Sequence, residues 1–318
     1  MQTAFISIVS VIQNSAEVGR LGDFLENTAA FLKAAFSDFE IILINNRQAV
    51  YEIAPVIKSL SPEIKKHIHL IHLSTQFNKN HAIMAGLDRA NGDYTVIFEP
   101  DFGNEPQWIE KMYLESQRGF DIVYLKALKK DASFLTGFLR SLFYFILKNY
   151  SDLKVDPLAH DTRLISRRAL NSLLRLRENL RYMKAIYSVV GYKTTFLETG
   201  KALGSNGQEK FSEKFRTSLV AISSFTTFLR TLSLWVFLLS GLFVILVIFN
   251  AVKVKLTKVD IFGTHHETLS GWAFLVVIIA IFFSITFFNL YILSVYLSNI
   301  YAEIKQRPLY IIESIERF

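Results

Sequence analysis

The chain has 318 residues, 51% of them hydrophobic and 20% charged, with a formal net charge of +7 and no cysteine. Disulfides and thiolate chemistry are therefore excluded. So are an ordinary soluble domain, which would be less apolar, and a chain lying wholly in a bilayer, which would be less charged. The apolar residues are unevenly spread: 231–252 run 22 residues without a charge, and 268–302 run a further 35. About 20 apolar residues cross a bilayer, so each run reads as a transmembrane helix. The expected organisation is a catalytic domain over 1–211, an amphipathic juxtamembrane helix over 212–230, two transmembrane helices within 231–302 and a tail over 303–318.

In chain order, residues 1–11 are apolar without a basic start, which fits a strand and not a signal peptide. The first strand is expected over 4–12. Leu21, Phe24, Leu25, Ala29, Leu32 and Phe36 recur at helical spacing, which predicts one amphipathic helix over 18–36. A second strand follows over 39–44, then a helix over 51–60 that Pro55 weakens. A third strand is expected over 67–73. A helix over 80–90 stops at Asn91-Gly92. A fourth strand over 94–98, a helix over 106–117 and a fifth strand over 121–125 continue the alternation. Strands alternating with helices predict a mainly parallel sheet with helices on both faces.

The fourth strand ends in Val96-Ile97-Phe98-Glu99-Pro100-Asp101. Ligands of open α/β sheets sit outside the carboxyl ends of the strands. Two acids there either solvate the strand exit or hold Mg2+ or Mn2+ on a substrate diphosphate. His67, His69 and His72 lie on the third strand and read as sheet-edge or surface histidines, since no further ligand is evident. His265 and His266, between the apolar runs, read as solvated.

Residues 134–147 form an apolar helical run broken only by Arg140. It is too short to span a bilayer and suits either the core or the membrane interface. Arg163, Arg167, Arg168, Arg175, Arg177 and Arg181 follow within 20 residues. They are either a solvated face or a phosphate-binding cluster; no recognition motif supports nucleic acid as partner. A late strand is expected over 193–198 and a loop over 200–211. The tail, with Glu303, Lys305, Arg307 and Pro308, reads as charged and proline-broken.

These residues carry a pattern. Glu99-Pro100-Asp101 followed by Pro106 resembles a D-x-D motif. Thr75 to Asp93, ending Ala85-Gly86-Leu87-Asp88-Arg89-Ala90-Asn91-Gly92-Asp93, resembles R-N-F-G-K-E followed by A-G-L-D-x-A-x-G-D. His160-Asp161-Thr162-Arg163-Leu164 resembles G-D-F-R-L, and residues 300–310 resemble the same family's tail. The chain is thus similar, over nearly its whole length, to the membrane-anchored family-2 glycosyltransferases that load sugars onto polyprenyl phosphate.

The resemblance implies a GT-A, Rossmann-like α/β domain. It implies inverting transfer from a UDP- or GDP-sugar to a polyprenyl phosphate. It also implies an integral protein of a bacterial inner membrane, with the domain and both termini cytoplasmic. Two-helix anchors can bundle, which leaves a homo-oligomer open. Residue by residue, it points to Asp101 and Glu99 as metal ligands and to Asp161 as base or positioning group, with Asp101 also catalytic through the metal. Ser10, Asn14, Asn45, Asn46, Lys79, Arg163, Arg167 and Lys210 are implied in substrate binding. The chain departs from the family at Asn45-Asn46, where the pattern is Asp-Asp, at Ser10 to Asn14, where it is P-V-Y-N-E, at Glu99 for Asp, and at Gly103 for Gln. These departures open an alternative, a binding subunit without activity.

Overall fold

In the computed structural model the described residues are all except 47–52, 129–133, 177–181, 203–217, 220, 260–262, 265–271 and 306. Two apolar runs, β1 (Gln2–Ile12) and β2 (Phe36–Asn45), lie parallel at the middle of an eight-stranded sheet. The others are β3 (Ile68–Leu73), β4 (Tyr94–Ile97), β5 (Ile122–Ala127), β6 (Ala159–Ser166), β7 (Thr194–Thr199) and β8 (Ile312–Arg317). Their order is β7-β5-β6-β4-β1-β2-β3-β8. The pairs β1·β2, β1·β4, β2·β3 and β5·β7 are parallel, whereas β6 is antiparallel to both β4 and β5, and β8 is antiparallel to β3. This is the expected GT-A-like, mainly parallel sheet.

Both faces are covered, as parallel strands require. On one face α2 (Leu21–Ala35) and α6 (Gln107–Ser116) bury Phe24, Leu25, Leu32, Ile109 and Met112 against Ile6, Ile8 and Val96. On the other, α5 (Lys79–Arg89), α8 (Arg167–Arg175) and α9 (Met183–Val189) bury Ile83, Leu87, Leu170 and Ile186 against Val9, Ile42 and Ile44. Helix α5 approaches closely because residue 86 is glycine: a Cβ there would stand 2.3 Å from Val9 Cγ1.

Three expectations change. The single helix over 18–36 is two, α1 (Ser15–Gly19) and α2, with Phe36 already in β2. Arg20 breaks the run, and α1 is capped by Asn14, whose Oδ1 accepts from Glu17 N (2.9 Å), while the Glu17 carboxylate accepts from Asn14 Nδ2 (2.8 Å) and from Gln13 N (2.6 Å). Strand β6 was not expected, because its alternating Ala-His-Asp-Thr-Arg pattern looks like a polar loop. The tail is not merely charged and broken, since β8 pairs along β3. The histidines of β3 are therefore not on an edge, and His72 is fully buried. The expected helix over 51–60 begins outside the described residues and continues as α3 (Ile53–Ser59), followed by α4 (Pro62–Lys65).

Helix α7 (Phe134–Tyr150) leaves Phe138, Leu142 and Phe145 exposed along one side. Its end meets the first apolar helix, α10 (Phe228–Thr257): Thr227 N donates to Tyr150 O (2.9 Å), and the Tyr150 and Phe228 rings meet edge-on at 5.1 Å. With α11 (Trp272–Ile304), α10 gives the chain two helices long and apolar enough to cross a membrane, over Phe228–Val254 and Val277–Ile304. They touch through Phe243 and Phe282, 6.2 Å between ring centres. Of the expected juxtamembrane helix over 212–230, residues 212–217 and 220 lie outside the described residues; 218–219, 221–225 and 228–230 are helical, with a break at 226–227.

Candidate functional site

The site forms where three separate segments reach the carboxyl edge of the sheet. Strand β4 delivers Glu99, antiparallel β6 delivers His160, Asp161 and Thr162, and the first turn of α5 delivers Lys79. The register of β6 against β5 slips between Tyr124↔Arg163 and Lys126↔Ala159, so three residues of β6 stand opposite one of β5. Such bulges re-aim side chains. Arg163 closes this one, donating from Nη2 to His160 O (2.8 Å) and from Nε to Asp161 O (3.2 Å), with its guanidinium 3.8 Å from the centre of the Tyr187 ring. A buried arginine thus holds the backbone that carries Asp161.

Lys79 Nζ donates to Glu99 Oε1 and to Asp161 Oδ2, both at 2.8 Å. The second oxygen of Glu99 accepts from Thr162 N and Oγ1, each at 3.3 Å, and His160 Nδ1 is 3.9 Å away. Burial alone would pull the Lys79 ammonium down, but the two carboxylates outweigh it and hold it above the ordinary lysine range. Burial would raise Asp161, but Lys79 and then Lys184 outweigh it and hold that carboxyl well below the usual range. Burial keeps His160 low and hence neutral, against the pull of Glu99. The Tyr182 hydroxyl, in hydrogen-bond contact with that of Tyr144 (3.1 Å), is pushed well up by burial. Tyr144 belongs to α7, so the helix with the exposed apolar side meets Tyr182.

The remaining expected site residues divide. Asp101 is on the adjoining turn Pro100–Phe102, 69% exposed, with Oδ1 3.4 Å from Arg20 Nη2. Gly103 leaves space that Phe24 fills: a Cβ there would meet Phe24 Cδ2 at 2.8 Å, so no glutamine side chain fits without moving it. Asn14 spends its side chain on the α1 cap. Asn45 is fully buried, its Nδ2 2.9 Å from His72 Nδ1. Asn46, equally buried, pairs with the Phe77 peptide, donating to its oxygen (2.7 Å) and accepting from its nitrogen (2.8 Å). Ser10 Oγ is buried and, among the described residues, without a hydrogen-bond partner.

Arg167 is not brought to this site. It follows β6 at the opposite edge of the sheet, donating to Ala90 O (2.9 Å), and lines a cavity of 310 Å³ with Asp93, Asp121 and Arg168. The reason is direction: β6 runs antiparallel to β4, so Asp161 and Arg167 lie at its two ends. Lys210 lies outside the described residues. Thr162, Lys184 and Lys201 were missed. Lys201 Nζ donates to Glu105 Oε1 (2.9 Å), both side chains half-buried, and to Asp101 O, and lies 4.6 Å from the centre of the Phe102 ring. Only the local motif around Asp161 offered a signal for Thr162; no spacing signals Lys184 or Lys201.

Two carboxylate oxygens, from Glu99 and Asp161, converge on one cationic point. Hard oxygens of this kind suit Mg2+ or Mn2+. Among the described residues no group of three or more His, Cys, Asp or Glu closes a cage, so a divalent ion here would need oxygens from a diphosphate or water.

Comparison with known proteins adds family evidence. Residues 7–174, more than half of the chain, match the family described as glycosyl transferase family 2. The chain is 27% identical over 320 residues to the SfII prophage-derived bactoprenol glucosyl transferase of Shigella flexneri, covering 98% of each. It is 25% identical to the undecaprenyl-phosphate 4-deoxy-4-formamido-L-arabinose transferase of Pseudomonas fluorescens, over 98% of this chain and 90% of that one. Among solved structures, glucosyl-3-phosphoglycerate synthase of Mycobacterium tuberculosis in complex with UDP covers 69% of this chain and 78% of its own length, at 14% identity and a TM-score of 0.46.

Proposed function

Because the chain belongs to glycosyl transferase family 2, we propose that it transfers a sugar, with inversion, from a UDP- or GDP-sugar to the phosphate of a polyprenyl lipid at the cytoplasmic face of a bacterial inner membrane. The observation that carries this reading is the meeting of Lys79, Glu99 and Asp161 at the carboxyl edge of the sheet. The full-length similarity to polyprenyl-phosphate transferases supports the acceptor class.

An oxygen of the acceptor phosphate attacks the anomeric carbon. The bond from that carbon to the diphosphate breaks, and the nucleoside diphosphate leaves with the electron pair. A phosphate monoester loses its second proton at about pH 6, so the attacking group is already an anion and needs no strong base. Asp161, held far below the usual carboxylate range, is a poor proton acceptor and instead keeps Lys79 in place. Lys79 offers its ammonium to charge developing on the leaving diphosphate. Mg2+ or Mn2+ supplies the same neutralisation when bound, and Glu99, Asp101 and Asp161 are the oxygens this chain offers it.

The apolar helices and the exposed Phe138, Leu142 and Phe145 of α7 support an acceptor held by the bilayer. Anchoring at that surface makes encounter with a lipid headgroup local. A second reading, a binding subunit without activity, is favoured by Asn45 and Asn46, whose side chains make internal hydrogen bonds. Membranes incubated with labelled UDP- and GDP-sugars, polyprenyl phosphate and Mn2+ separate the two. Label entering the lipid phase only when polyprenyl phosphate is added supports transfer. Label bound to protein and never found in lipid supports the binding subunit.

A further inference from the structure

The ladder between β4 and β6 ends at the pair Ile97↔Arg163, so Glu99 lies just past it. There a side chain takes over from the ladder. Glu99 N donates to Thr162 Oγ1 (3.2 Å), while Thr162 N and Thr162 Oγ1 both donate to Glu99 Oε2 (3.3 Å each). A backbone N–H can only donate, and a hydroxyl has one hydrogen. The Thr162 hydroxyl therefore accepts from the amide, and its hydrogen goes to Oε2. The two contacts to Oε2 are long. Together with the bond to the amide they close residue 99 against residue 162, at its backbone and at its carboxylate. His160 Nδ1 stands 3.9 Å from the same oxygen.

Thr162 is built to hold an orientation. It is fully buried, it lies on a strand flanked by β4 and β5, and its β-branched side chain is stiff at χ1. Glu99 needs holding: a glutamate has rotamer freedom to lose and one methylene more than the aspartate of the motif it resembles. With Oε2 tied to Thr162, Oε1 is left to meet Lys79 at 2.8 Å. The chain departs from G-D-F-R-L at His160 for Gly and at Thr162 for Phe, and from D-x-D at Glu99. All three departures meet at Glu99 Oε2. The longer acid and the hydroxyl that restrains it occur together.

We propose that Thr162 is a positioning residue for Glu99: by restraining Oε2 it fixes how the acid is presented beside Lys79 to a divalent ion and the donor diphosphate. The inference rests on the transfer reading above for that ion and diphosphate.

The test uses the full-length chain in detergent as wild type, Thr162→Val, Thr162→Ser and Glu99→Asp. Valine keeps the shape and drops the hydroxyl; serine keeps the hydroxyl and drops a buried methyl. Mn2+ binding is read, with UDP or GDP present, from the electron paramagnetic resonance of free Mn2+, alongside Tm. Thr162→Val should bind Mn2+ roughly tenfold more weakly, the low end of the cost of removing a partner of a metal ligand. Thr162→Ser should bind close to the wild type although the lost methyl leaves it less well packed. Glu99→Asp should be weakened as much as Thr162→Val, because its shorter arm does not meet Thr162 and Lys79 together. Sugar transfer by Thr162→Val should return as Mn2+ is raised about tenfold, with polyprenyl-phosphate KM unchanged. Wild-type Mn2+ affinity in Thr162→Val or in Glu99→Asp would overturn the proposal. So would Thr162→Ser binding as weakly as Thr162→Val, which a packing role predicts, and so would a wild type that binds no Mn2+ with either nucleotide. Should Thr162→Val not fold, Glu99→Asp decides alone. A wild type that binds Mn2+ but transfers no sugar ends the transfer reading only, and the order of Mn2+ affinities still decides the positioning role.

Discussion

Removing the Lys79 ammonium is the sharpest perturbation of the acid cluster. Its nitrogen stands 2.8 Å from Glu99 Oε1 and 2.8 Å from Asp161 Oδ2, so those oxygens are at most about twice 2.8 Å apart. Two unit charges at that separation repel by about 3 kcal/mol at an effective dielectric constant of about 20. This agrees with the roughly 3–5 kcal/mol measured when one partner of a buried ion pair is removed. Lys79→Met keeps the side chain's length and apolar stem while deleting the charge. For a domain of this size, about 3 kcal/mol corresponds to a Tm lower by roughly 6–12 °C. Part of that loss should return with Mn2+, since the exposed oxygens can then take a divalent ion, and part should return toward pH 5 as one carboxyl binds a proton. Thermal unfolding in detergent, with EDTA or Mn2+ and across pH, measures all three. A Tm equal to the wild type's, indifferent to Mn2+, would show that the ammonium does not hold these acids together.

Asp161 is lowered and Lys79 raised in the folded chain, so each contributes stability through its own window. The Asp161 contribution is present above the ordinary carboxylate pKa of about 4 and is lost as pH falls through its lowered value. That of Lys79 is present below about 10 and is lost as pH rises through its raised value. Between about pH 5 and 9 neither titrates. The acid limb of the transfer rate should therefore follow the acceptor phosphate, with a midpoint near 6, and a midpoint that moves with the enzyme variant instead of the acceptor would contradict this. Arg167→Ala, at the opposite edge of the sheet, should leave both KM values unchanged; a rise in either would restore it to the site. Gly86→Ala places a methyl 2.3 Å from Val9 Cγ1 and should cost roughly 1–3 kcal/mol by overpacking, read as a lower urea midpoint without change in KM.

The parallel core was legible in the sequence because β1, β2 and β4 are apolar runs and α2 and α5 repeat at helical spacing. The two apolar helices were legible from their length alone. Strands β6 and β8 were not, because each is rich in polar or charged residues. In β6 those residues line the candidate site, and in β8 Glu316 faces a buried histidine while Arg317 stands opposite His69. A polar strand inside a sheet is recognisable only once its partners are known. Glu99, Asp161 and Lys79 were named by local motif, and the structure brings them within hydrogen-bond reach of one another. Arg167 shows the opposite case: the resemblance implied it in substrate binding, and the extended strand β6 sets it and Asp161 at opposite edges of the sheet. Asn14 and Asn46 were named by position in the pattern, but their side chains cap a helix and tie down a loop.

The most direct test replaces the anion that keeps Lys79 in place. Purified wild type and Asp161→Asn, in lipid nanodiscs with polyprenyl phosphate and Mn2+, are compared for sugar transfer into lipid and for donor affinity by calorimetry. The expected result is transfer reduced on the order of 100-fold, the scale of one lost electrostatic contribution to a transition state, with donor affinity close to that of the wild type. Transfer by Asp161→Asn at the wild-type rate would mean that the chemistry occurs elsewhere.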